Sequence, residues 1–141
     1  MQRISGAGGI DANLAPDAFH RWATHYQKCR NDFQCSERFS PVPYFLLCRA
    51  IELEIKARHL KRMTQDCVKA AFGHDLVKAY DALDPAERTL NQGEEDTLRV
   101  ASDIYKGKGF EYFGPEDVLS GYRRFPDLTL LDSIAGKLIG S

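Results

Sequence analysis

The sequence predicts an all-α fold, a compact antiparallel bundle of about five helices, on three observations. Apolar side chains recur at steps of three and four, alternating strand patterns are missing, and capping residues punctuate the periodic segments. The 141 residues and 43% hydrophobic content suit one core, so a single helical domain over 16–141 is expected. Residues 1–15 are small and Gly-rich, which predicts a flexible N-terminal arm with no regular element.

The first helix is expected from Asp17 to Phe33, where Phe19, Trp22, Ala23, Tyr26, Cys29 and Phe33 share a stripe. Ser40 and Pro41 suit the N-cap and first position of the second, which is expected to run to Met63. Apolar residues dominate it from Tyr44 to Leu60, more than a surface helix needs, so it is expected to be central. A short third helix follows from Thr64 or Asp66 to Phe72, with Gly73 ending it and Asp75 capping the next through Leu83. Asp84-Pro85-Ala86-Glu87 reads as another helix start. Asn91 and the acidic run after it open a helix with Leu98, Ala101, Ile104 and Tyr105 on one face. Glycines and aromatics at 106–115 predict an irregular Tyr/Phe-rich loop, and Leu128, Leu131, Ile134, Ala135 and Leu138 predict a last helix to Ile139.

Net charge is -1 and the pI about 6.4, so no global positive field draws the chain to nucleic acid. Phosphate binding then requires a local patch. Cysteines 29, 35, 48 and 67 form no Cys-x-x-Cys pair, which predicts free thiols and a reducing cytoplasm. A metal site from His20, His25, Cys29 and Cys35 lacks a second close pair, so neither metal nor cofactor is expected. The N-terminus lacks the apolar run of a signal peptide and no segment reaches transmembrane length, so a membrane partner is not expected.

Arg49, Glu52, Lys56 and His59 lie on one stripe of the second helix, with Glu52 placed to pair with Lys56. Such a line is either a salt-bridge ladder at a bundle edge or dimer seam, or the border of a ligand cleft in which cations hold phosphate. Of the two, the ladder is favoured. Lys56, Arg58, His59, Lys61, Arg62 and Lys69 form the one local concentration of positive charge, which suits either a backbone grip or a solvated helix end. Tyr105, Lys106, Lys108, Phe110, Tyr112 and Phe113 have the composition of a base-stacking surface, and equally of a loop clamped to a core.

Glu52-x-x-x-Lys56 within an apolar helix, followed by Gly73-His74-Asp75-Leu76 opening another, resembles the HEPN group (higher eukaryotes and prokaryotes nucleotide-binding) over about Ser40 to Leu83. The resemblance implies a helical bundle, a homodimer, nucleotide or RNA phosphate as ligand, and a cognate partner protein. Ligand-binding residues would be Arg49, Glu52, Lys56, His59, Lys69, His74 and Asp75. Catalytic members pair an arginine with a histidine four to six residues away. Here Lys69 and His74 stand nearest that pattern, and lysine lacks the planar fork of arginine. A non-catalytic binding module is the favoured reading, with His74 bonding backbone in a turn that Asp75 caps. The alternative is a metal-independent ribonuclease of a toxin or defence system, using His74 with Lys69 or Arg49 across a dimer.

Overall fold

A computed structural model describes residues 3–5, 11–13, 15–112 and 114–140. Those residues form a helical bundle of seven α-helices: α1 (Ala15–Asp32), α2 (Val42–His59), α3 (Gln65–Phe72), α4 (Leu76–Asp81), α5 (Gln92–Lys106), α6 (Pro115–Leu119) and α7 (Leu128–Ile139). The count exceeds five because both short helices expected after α2 form and a further five-residue helix, not foreseen, forms at Pro115.

α2 is the axis of the bundle. Its buried residues include Leu47, Cys48, Ile51, Leu53 and Ile55, which face its neighbours from every side. His20 and Tyr26 of α1 reach Glu54 and Arg49 of α2 respectively, so α1 and α2 run antiparallel. Tyr44 meets Phe125 just before α7 while Arg58 bonds the Leu138 carbonyl, so α7 runs parallel to α2. Glu94 at the start of α5 bonds Ser133 and Lys137 late in α7, which sets α5 antiparallel to both.

Local caps follow the sequence at four helices, whereas at α2 Pro41 holds the N-cap position in place of the expected Ser40. The Thr64 hydroxyl accepts from Cys67 N–H at 3.1 Å, Asp75 from Lys78 N–H at 3.0 Å, and Asp127 from Leu130 N–H at 3.1 Å. Asn91 and Glu94 complete a reciprocal capping box at the start of α5.

Three expectations change. α2 ends at His59 instead of continuing to Met63, because the bonding tightens there: the Lys61 and Arg62 N–H groups bond the carbonyls three residues back, of Arg58 and His59. Pro85–Glu87 forms only one 3-10 turn. The irregular loop expected near 106–115 is present between the end of α5 at Lys106 and the start of α6 at Pro115; Phe113 lies outside the described residues. Within the arm, Arg3–Ser5 and Asp11–Asn13 pair as a short antiparallel ladder, while residues 1–2, 6–10 and 14 lie outside the described residues.

Among the described residues, no helix is long and apolar enough to cross a membrane. All four cysteines are free, with Cys29, Cys35 and Cys67 exposed and Cys48 buried.

Candidate functional site

The three-to-four spacing of α2 sets Arg49, Glu52 and Lys56 on one flank. Glu52 is only 2% exposed, and a carboxylate so far from water needs its lone pairs engaged. Its Oε2 accepts from Lys56 Nζ at 2.6 Å and from His74 Nδ1 at 2.9 Å. Its Oε1 accepts from Arg49 Nη1 at 3.2 Å and from the Tyr105 hydroxyl. An ionised carboxylate only accepts, so the shared proton sits on His74 Nδ1 and Nε2 is the ring's remaining polar atom.

Burial pushes the Glu52 carboxyl upward. Hydrogen bonds from Lys56 and Tyr105, the Lys56 charge and the His74 bond outweigh it and hold the group below its ordinary value. Burial first, then the Glu52 charge, drives the Tyr105 phenol far above its ordinary value, which keeps it a donor. At Arg49 burial acts against the charge, but Glu52 and Tyr105 prevail and raise it.

A cavity of about 650 Å³ opens beside this hub. Phe19 and Trp22 of α1 supply one wall; Arg49, Glu52, Leu53 and Lys56 of α2 the floor; Gln65, Asp66, Val68 and Lys69 of α3 the other wall; Gly73 and His74 the rim. The rim is held by its backbone: Gly73 has φ +53°, a value that side chains disfavour, and its carbonyl accepts from Lys56 Nζ. The position is occupied by the residue that tolerates it. Trp22 is about half exposed, and the His74 side chain is 60% exposed.

Five of the seven residues expected to bind ligand therefore border one cavity: Arg49, Glu52, Lys56, Lys69 and His74. Two do not. His59 is buried under α3 and α4, where its ring packs 4.5 Å from that of Phe72 and Nε2 bonds the Ala79 carbonyl at 2.8 Å. It shares the α2 stripe, but the two short helices cover that end. Asp75 caps α4, bonds Ser102 at 3.4 Å and lies 3.5 Å from Lys106. His74 bonds a side chain, not the backbone as expected, since the Glu52 carboxylate lies within reach of its ring.

The basic run is dispersed. Arg58 on α2 bonds the Glu87 and Leu138 carbonyls, whereas Arg62 lies in the turn beyond α2 and pairs with Asp84 at 2.7 Å. Tyr105 and Phe110 are buried and so unavailable for base stacking, whereas Tyr112 is exposed. His20 pairs with Glu54 at 2.5 Å.

Sequence reasoning missed Tyr105 as a partner of Glu52, and Phe19 and Trp22 as a cavity wall. One signal was present at Tyr105: a lone hydroxyl on the apolar face of α5 requires a buried acceptor. Trp22 offered none, since its stripe reads as core whether or not α3 stands off from it. No family model matches this chain, and neither a curated protein nor a solved structure matches it.

Proposed function

We propose that this protein is a HEPN-like binding module that holds a nucleotide or RNA phosphate in the cavity between α1, α2 and α3. The observation that carries the reading is the convergence of Arg49, Lys69 and His74 around a cavity walled by Trp22. Three fixed cations, Arg49, Lys56 and Lys69, stand against the carboxylates Glu52 and Asp66, so the cavity favours an anion. Lys56 is committed to Glu52 and the Gly73 carbonyl and acts as fixed background charge. Lys69 has no ion pair among the described residues and is the cation free to meet a ligand. Trp22 and Phe19, with ring centroids 5.7 Å apart, offer an apolar face of the kind on which bases stack. The volume falls within the ordinary range for small-ligand sites, about 300–1,000 Å³. In this reading the protein works in the reducing cytoplasm, as a homodimer, with a cognate protein partner.

Trp22 is the chain's one tryptophan, so its fluorescence reports the cavity directly. Titration with adenosine 5′-monophosphate or a short RNA is expected to give a saturable change, and Lys69→Ala to weaken it about tenfold. A flat response to both probes would remove the reading.

One observation favours ribonuclease chemistry as a second reading. A histidine held through Nδ1 by a buried carboxylate is the arrangement of an oriented general base, and Arg49 and Lys69 border the same cavity within one chain. The cation need not come from a partner. Cleavage of a labelled RNA pool without added metal, lost in a folded His74→Ala protein, would establish this reading; no cleavage by the wild type would leave binding alone.

A further inference from the structure

Arg49 and His74 border a second, smaller cavity of about 160 Å³ on their far side, lined also by Phe45, Tyr105, Lys106, Lys108 and Glu111. The two cavities therefore share one border, a saddle made of a guanidinium and an imidazole. Beyond it stand two more ammonium groups. Lys106 lies 3.5 Å from both Asp75 and Asp103, whereas Lys108 has no ion pair among the described residues. Lys108 also has φ +60°, a backbone conformation uncommon for a residue with a side chain. The turn is fixed around it: its N–H bonds the Tyr105 carbonyl at 2.9 Å and its carbonyl accepts from Tyr112 N–H at 2.8 Å. The backbone that carries Lys108, which has no ion pair among the described residues, is thus fixed at the lining of the smaller cavity.

We propose that the ligand is a nucleoside 5′-polyphosphate whose phosphate chain crosses the Arg49–His74 saddle and ends against Lys108, an inference that rests on the nucleotide reading above. The size difference supports this polarity. The larger cavity has the aromatic wall and the room for a nucleoside, while the smaller one suits a phosphoryl group or two. Glu111 sets one opposing charge on the small rim, so a terminal phosphate is held through Lys108 and Arg49 and not by a general positive field. Each cation along the path meets a different phosphate, which makes Lys108 the residue that reads chain length.

Calorimetric titration of the full chain with the mono- and triphosphates of adenosine and guanosine, in magnesium-free buffer, tests this. At least one triphosphate is expected to bind about tenfold or more tightly than its monophosphate. Lys108→Ala should erase that gain and leave the monophosphate unchanged, and Lys108→Arg should restore it. Circular dichroism checks that each variant folds, and Lys108→Asn, which tolerates positive φ, replaces the alanine variant if that one does not. Equal affinity for mono- and triphosphate, or an undiminished gain in Lys108→Ala, would overturn this inference alone. Failure of every nucleotide to bind would overturn the nucleotide reading with it, and the dinucleotide ApA binding as tightly as the best triphosphate would assign the second cavity to a strand of RNA.

Discussion

His74 Nδ1 lies 2.9 Å from Glu52 Oε2, which ties a largely exposed ring on the turn after α3 to one of the most buried carboxylates of the chain. The bond spans two elements and fixes one nitrogen of the ring, so the position of the other is set by the core and not by the turn. It also makes Glu52 the common partner of Arg49, Lys56, His74 and Tyr105.

Glu52→Gln should therefore act on the whole hub. The amide keeps the shape but leaves the Lys56 ammonium, itself 9% exposed, without its counter-charge. Removing one partner of a buried pair costs about 3–5 kcal/mol, and urea unfolding should show a loss of that order. The double variant Glu52→Gln, Lys56→Met should recover part of it. A loss below 1 kcal/mol in the single variant would mean the pair is not buried as described.

Stability should fall on the acid side. The Glu52 carboxyl is opposed by burial but held below its ordinary value by Lys56, Tyr105 and His74, and Glu94 is held down against burial by Lys137, the Asn91 N–H and Ser133. Groups with a depressed folded-state pKa contribute stability that is full above the unfolded value, about 4.3 for Glu, and lost as pH falls through the folded value. Thermal melts should be level from pH 7 to about 5 and then decline, with a shallower decline in Glu52→Gln. Identical acid slopes in the two proteins would exclude Glu52 as a source.

The thiols should divide by burial. Cys29, Cys35 and Cys67 are exposed, whereas burial and then the Glu52 charge push the Cys48 thiol far above its usual range, away from the reactive thiolate. Ellman's reagent should label the three exposed cysteines of the native protein promptly and the fourth only after unfolding. Fast labelling of Cys48 in native protein would show that α2 is not the closed axis it is described to be.

Much of the fold could be read from the chain because it is decided by neighbours a few residues apart. Thr64, Asp75, Asn91 and Asp127 cap helices through bonds to N–H groups three residues on, and the Glu52–Lys56 pair spans one turn of α2. Three- and four-residue spacing likewise placed Arg49, Glu52 and Lys56 on one flank before any packing was known. These are short-range matters of sterics and hydrogen bonding.

Which residues share the cavity was decided only by tertiary structure. His59 continues the same stripe, yet α3 and α4 fold over it and bury it against Phe72, while Lys69 and Trp22, from two other helices, complete the walls. Tyr105 reaches Glu52 from 53 residues further along the chain, through an approach of α5 to α2 that no local pattern specifies. Spacing on one helix sets a direction from its axis. What stands in that direction depends on how the connecting turns at Gly73 and Gly107 swing the next helices back, and that is settled by burying one common core.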